Sequence, residues 1–366
     1  MPRAALLNDT YGYYHWGCTA TSGAIRKRLG QLGFEVHPIP YVFTVKFESL
    51  PERLDQFDDP AFFRQAQADH RELFDTLAGA DTVVVNGEGS LHRIRRISLA
   101  LLYLAYASKI HLGRSVHLIN QSAYPEVRRS PVDSQPFQLY RHVFRQLDSI
   151  AFREHVSQRL FLEQGIEGVL SFDCLPLTLA EEYRPEPKRD TRTIVIAGSS
   201  AFPPERIADL ADFMQTAHGE GYEIEVLVGG RDNPDPEDAE FVQALRQQPF
   251  SGWKLVDATS WEQWCDCLNA ASLLVSGRFH HTIAATFLGT PCVVMDGNTL
   301  KNEALTEIFG YEPPLGYEHP HFRQELRERG TRALAGQPVD RCVLDLLRER
   351  AERNFDGLRQ TERDIT

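Results

Sequence analysis

Residues 272–296 leave few folds open. They read Ser-Leu-Leu-Val-Ser-Gly-Arg-Phe-His-His-Thr-Ile-Ala-Ala-Thr-Phe-Leu-Gly-Thr-Pro-Cys-Val-Val-Met-Asp. Leu273, Leu274 and Val275 form a short apolar run, as a buried parallel strand does, and Gly277 breaks it. Ile283, Ala284, Phe287 and Leu288 then recur at helical spacing. Gly289 suits a helix C-terminal cap, and Pro291 forbids any continuation. Residues 292–295 make the next apolar strand. Strand, tight loop, helix and strand is the repeating unit of an open α/β sheet, which binds ligands beyond the carboxyl ends of its strands. Arg278 and His280 stand at that place, where free N–H groups and the helix dipole favour an anion. An arginine adds a fork for phosphate or carboxylate, and a histidine passes protons near neutral pH. The alternative for this pair is a helix-start ion pair and a cap.

The same pattern recurs along the chain. Residues 4–7 form a strand that ends at Asn8-Asp9-Thr10. An aromatic loop at 11–18, a helix at 21–32 and a strand at 34–39 follow. Residues 81–86 are a central strand running into Gly87-Glu88-Gly89-Ser90. A helical pattern covers 91–108, and a strand at 115–120 exits through Gln121. Residues 148–152 lead into Arg153-Glu154-His155. The Pro-bearing polar run 181–192 is the best linker. Strands at 193–197, 223–228 and 253–256 come next, the first two ending in Gly198-Ser199-Ser200 and Gly229-Gly230-Arg231. A chain of 366 residues exceeds what one hydrophobic core normally supports. The expected division is an acceptor-binding domain at 1–182, a linker at 183–192, a donor-binding domain at 193–339 and a C-terminal helix at 340–366. That helix has Val343, Leu346, Leu347 and Ala351 as its apolar stripe. The glycine-ended strand edges of the two domains are expected to face each other across a cleft.

A net charge of −12 argues against nucleic acid as a partner and against docking on anionic lipid by charge alone. Six cysteines are scattered, and Cys265-Asp-Cys267 is too tightly spaced for a zinc knuckle. Cys174, Cys265 and Cys292 lie in apolar contexts, as buried free thiols do. The start turns polar too soon for a secretory signal, and no apolar run approaches a bilayer span. A cytoplasmic protein with reduced thiols is expected.

Ser276-x-Arg278-x-His280, with Ala284, Ala285, Gly289-x-Pro291 and Lys301, resembles the signature of the polysaccharide pyruvyl transferases. Tyr124-Pro125, Arg153-Glu154 with Ser157 beyond, and Asp173 add to the likeness. The resemblance implies an α/β fold of two Rossmann-like domains arranged as in GT-B glycosyltransferases, the last helix crossing back to the first domain. It implies transfer of the pyruvate moiety of phosphoenolpyruvate onto a sugar hydroxyl of a polysaccharide or glycan precursor, with phosphate release. The acceptor is then a glycan or a lipid-linked sugar, which allows peripheral attachment to the inner membrane face, and no cofactor is needed beyond the donor. Family members usually have Gly-x-x-Asn-x-Gly-Asp where this chain has His15-Trp16-Gly17-Cys18. They have a glycine triplet where Glu88 stands here.

That chemistry needs cations on the donor's phosphate and carboxylate, a proton for its methylene carbon and a base for the sugar hydroxyl. Arg278 and His280 are the catalytic candidates. Arg153, Gly198, Ser199, Ser276, Arg278 and Lys301 are the donor-binding set. Asp9, Tyr11, His15, Trp16, Glu88 and Gln121 are the acceptor-binding set, with Tyr13 and Tyr14 adding stacking surface. Packing remains the alternative for the aromatic loop, a tight turn for Glu88, and a structural pair with Glu154 or Asp173 for Arg153. Adjacent rings on a helix diverge, so His280 and His281 make no metal pair, and no catalytic metal is expected. Two other functions stay open. One is a GT-B glycosyltransferase using a nucleotide sugar, and the other is a non-catalytic sugar-binding protein.

Overall fold

The computed structural model describes residues 1–12, 15–126, 134–186, 192–200, 202–231 and 236–363. Tyr13, Tyr14 and residues 187–191 of the expected linker lie outside them. The chain divides into two compact units, and neither is continuous in sequence.

The first unit holds residues 1–11, 21–174 and 347–366. Its parallel sheet runs in the order β2-β1-β3-β4-β5-β6. The strands are β1 (Arg3–Asp9), β2 (Glu35–Pro40), β3 (Thr82–Glu88), β4 (Ser115–Gln121), β5 (Ser149–Phe152) and β6 (Val169–Leu170). Every residue of β3 is buried, as an apolar run covered on both faces requires. Leu7, Val83, Val85 and Val116 meet Leu101, Leu104, Phe137 and Phe161 in one core. The helical pattern expected at 91–108 starts later, at Arg96, where the Arg95 N–H donates to Ser98 Oγ at 2.8 Å.

The second unit holds residues 12–20 and 175–346. Its parallel sheet runs in the order β11-β10-β7-β8-β9. Here β7 is Thr193–Ala197, β8 Glu223–Val228, β9 Trp253–Asp257, β10 Leu273–Ser276 and β11 Cys292–Val294. Ile194, Ile196, Val226, Leu273 and Val275 pack against Leu210, Met214, Phe322 and Leu326.

Three expectations about the boundaries change. The division falls at Cys174/Leu175 rather than within 183–192, because the Leu175–Glu182 helix packs on the Phe279–Phe287 helix. Residues 12–20 leave the first unit for the second, so the Trp16–Gln31 helix begins in one unit and ends in the other. The single helix expected at 340–366 is broken into Arg341–Glu352, a 3₁₀ turn Arg353–Phe355 and Asp356–Arg363. Asn354 occupies the break. Its carbonyl accepts from the Asn120 N–H at 2.7 Å and its amide donates to Phe172 O at 2.7 Å. From Leu347 onward the tail belongs to the first unit, the return that the resemblance implied.

Candidate active site

The carboxyl end of β10 is built around a glycine. A Cβ on Gly277 would lie 2.5 Å from Ser199 Cβ and 2.7 Å from Asp296 O, so only glycine fits. The Gly277 N–H donates to Gly198 O at 3.1 Å, and Ser199 Oγ donates to Asp296 O at 3.0 Å. Ser276 Oγ accepts the Arg278 N–H at 2.9 Å, and Asn302 Nδ2 bridges Gly277 O and Met295 O. Gly198, Ser199 and Ser276, expected on the donor, are therefore the mutual braces of the three strand ends. Their hydroxyls are used within the protein.

Arg278 caps the Phe279–Phe287 helix and is 5% exposed. Its Nη2 donates to Asp238, and Glu237 stands 3.8 Å away. The helix-start ion pair left open above is thus present, and a donor anion would have to share or displace it. Lys301 opens the Lys301–Phe309 helix, half-buried, with Nζ 6.0 Å above the Phe279 ring.

Behind these cations lies a buried cluster of rings. His15 sits edge-on to both His280 and His281, at 5.6 and 5.7 Å between centroids. The adjacent imidazoles, expected to diverge, thus both border one third ring. Trp264 Nε1 donates to His281 Nε2 at 3.1 Å, which fixes His281 with its proton on Nδ1. Burial, then Arg278 and His280, holds the His281 ring well below the usual histidine pKa. Burial, then Arg278, His280, His281 and Lys301, does the same to His15. Both are neutral at pH 7. Cys18 Sγ lies 3.8 Å from His280 Nδ1 and 4.0 Å from His15 Nε2. His15 and Trp16, expected in the acceptor domain, thus belong to the unit that carries Arg278. Trp16 is 7% exposed and its indole N–H donates to Ala258 O at 2.8 Å, so packing claims it.

The remaining expected residues lie in the first unit and are not brought together as one set. Asp9 accepts a bidentate pair from Arg26, whose guanidinium lies 4.3 Å below the Tyr11 ring. Asp9 and Tyr11 are therefore a structural clasp on the helix. Arg153 is 1% exposed, with Nη1 on Asp173 Oδ2 at 2.8 Å and Nε on Ser122 Oγ at 2.9 Å. The structural pair with Asp173 left open above is thus present, and a donor anion would have to share or displace it. Glu88 and Gln121 are register partners at the ends of β3 and β4. Glu88 has φ +40°, a left-handed backbone that explains why glycine is the expected occupant. Gln121 is wholly buried, and among the described residues neither atom of its carboxamide has a partner. Such a group is costly unless a ligand satisfies it.

Sequence reasoning missed Asp238, Trp264 and Cys18. The first two are long-range partners with no local signal. Cys18 had one: His15 and Cys18 are three apart at a helix start, so they share a face.

The sequence matches the polysaccharide pyruvyl transferase family over residues 17–299, most of the chain. The chain belongs to that family. No curated protein matches it. Among solved structures it is similar to the UDP-GlcNAc 2-epimerase of Methanocaldococcus jannaschii, at 13% identity and a TM-score of 0.61, covering 98% of this chain and 100% of that one. It is also similar to the UDP-GlcNAc 2-epimerase of Neisseria meningitidis bound to UDP-GlcNAc, at 11%, 0.54, 98% and 100%. Medicago truncatula UGT71G1 complexed with UDP-glucose gives 10%, 0.53, 96% and 94%. At these identities the likeness is one of fold: GT-B-like, with two Rossmann-like units. Among the described residues no helix is long and apolar enough to cross a membrane.

Proposed function

We propose that this member of the pyruvyl transferases uses phosphoenolpyruvate as donor and a sugar hydroxyl of a polysaccharide or glycan precursor as acceptor. His280 delivers a proton to the methylene carbon. The sugar oxygen bonds to C2 and gives its proton to the departing phosphate, and the C2–O bond to phosphate breaks. The C2 cation left behind is closed by a second sugar hydroxyl as a ketal or loses a methyl proton to give an enolpyruvyl ether. Arg278 and Lys301 neutralise the donor's phosphate and carboxylate. Glu88 and Gln121 accept and donate to the acceptor's hydroxyls. The observation that carries this reading is the placement of Arg278, Lys301 and His280 around one strand end in a protein of this family. No metal or cofactor is required by these steps.

Two solved structures of similar fold hold a UDP-sugar, which favours a nucleotide-sugar donor as the second reading. The test is to heat the protein with phosphoenolpyruvate and with a panel of nucleotide sugars, since a ligand of the native state raises the midpoint. Phosphate release with glycan acceptors is then followed. A rise with phosphoenolpyruvate and acceptor-dependent phosphate release is expected. A rise with nucleotide sugars alone would replace the proposal with the second reading.

A further inference from the structure

We propose that His15, Cys18 and His280 form a binding site for a thiophilic divalent cation, zinc above others. Their donor atoms lie within 4.8 Å of one another, and all three residues are buried. The atoms that converge are Nε2 of His15, Sγ of Cys18 and Nδ1 of His280. A tetrahedral zinc with bonds of about 2.3 Å to sulfur and about 2.0–2.1 Å to nitrogen sets S and N about 3.5 Å apart. The two sulfur-to-nitrogen separations, 4.0 and 3.8 Å, need a contraction of a few tenths of an ångström, and the two nitrogens, within 4.8 Å of each other, close on a zinc-bound spacing of about 3.3 Å.

The scaffold already enforces the approach. A Cβ on Gly17 would lie 2.2 Å from His280 Cβ, so glycine lets the start of one helix seat on the start of another. His15 is bridged to Gly230, and Trp16 is tied to Ala258 O.

The donor set also selects the ion. One sulfur and two imidazoles offer no oxygen, which excludes magnesium and calcium. Three protein ligands leave a fourth position open, as in zinc sites that bind a further molecule. Arg278 and Lys301 nearby disfavour a cation. Asp238 and Glu237 offset Arg278, and a Cys18 thiolate halves the charge of the ion. Bound zinc takes the Nδ1 lone pair of His280 and withdraws the ring from the proton delivery proposed above, so zinc is expected to inhibit transfer. That consequence rests on the proposed transfer reaction; the metal site itself does not.

The test uses metal-free protein carrying Cys342→Ser, which removes the exposed thiol. It is titrated with Co²⁺ and then Zn²⁺. One equivalent is expected to bind with a thiolate-to-cobalt charge-transfer band, and zinc should displace it. Cys18→Ser should abolish the band. His15→Gln and His280→Gln should each weaken binding by about 100-fold, the upper end of what even indirect partners of a metal contribute. X-ray absorption of the zinc-loaded Cys342→Ser protein needs no further variant, and should show one sulfur at about 2.3 Å with nitrogens at about 2.0–2.1 Å. An oxygen and nitrogen shell without sulfur, or an undiminished band in folded Cys18→Ser, would overturn the site.

Discussion

Each unit carries a buried arginine just past a parallel strand, and the two have different company. Arg153 follows β5 in the first unit. Its carboxylate, Asp173, is wholly buried, and Ser122 takes another N–H. Removing that pairing would strand a charge with no access to water. Arg278 follows β10 in the second unit. Its partners Asp238 and Glu237 open the Pro236–Arg246 helix, where the dipole favours negative charge whether or not the arginine is present. Glu237 is half in solvent. A ligand anion can therefore take Arg278 at a smaller cost than Arg153. A buried arginine at a strand end points to binding only when its carboxylate has a second source of stabilisation.

Four experiments break or sharpen this contrast. The largest effect belongs to the second unit. His280→Gln should keep the fold and much of the donor affinity but lose roughly 10²–10⁴ in turnover. His281→Gln should be milder, since His281 is spent accepting from Trp264. Turnover and donor binding on both folded variants decide it, and a dead His281→Gln beside an active His280→Gln would reverse the assignment.

Next in size, Arg153→Met should cost about 3–5 kcal/mol of stability, because it leaves Asp173 buried and uncompensated. Denaturant melts measure this, and an unchanged midpoint would move Arg153 back among the ligand-binding candidates. Arg278→Ala should weaken phosphoenolpyruvate binding by about 1.5–3 kcal/mol, the worth of a charge-assisted pair. Equal donor affinity by calorimetry would remove it from the site and reduce it to a helix-start pair.

The smallest effect, read per pH unit, is a pH dependence in the first unit. His117 is buried between Ser115 and Ser149, with Asp148 and Lys109 the charged groups that act on it. Burial pushes its pKa down to about 4, against the pull of Asp148. The unfolded chain then binds the extra proton first as pH falls below about 6.5. Stability from this group is full above that pH and drops by about 1.4 kcal/mol per unit down to about pH 4. His117→Gln should flatten that limb. Melts at pH 7 and pH 5 that show the same slope with and without His117 would contradict it.

Much of the second unit was legible in the sequence. Strands Thr193–Ala197 and Glu223–Val228 and the Phe279–Phe287 helix fall where apolar runs, glycine stops and helical spacing put them. Those signals act over a few residues, and the strands are buried enough to need no tertiary help. Of the candidate site, the strand end that carries Arg278 and His280 was legible, and the partners of those residues were less so. Asp238 lies 40 residues from the arginine it holds, and no local pattern predicts that meeting. Residues 12–20 were assigned to the unit that precedes and follows them in sequence. What decides otherwise is contact with Gly230, Ala258 and His280, more than 200 residues on. The engagement of Asp9 and Tyr11 by Arg26, 17 and 15 residues on, was hidden for the same reason in miniature.

Asn354 gives the fold an order in time. A chain emerging from the ribosome usually completes its first domain first. Here the first unit is begun by residue 1 and closed by residues 347–366, whose Asn354 supplies Asn120 and Phe172 with partners. Until Asn354 is made, the amide of Asn120 and the carbonyl of Phe172 have only water or a chaperone to turn to. The second unit, synthesised wholly between those ends, can consolidate earlier. A chain that stalls before Asn354 is made should thus expose residues of the first unit made long before it to proteolysis, not the most recently made ones.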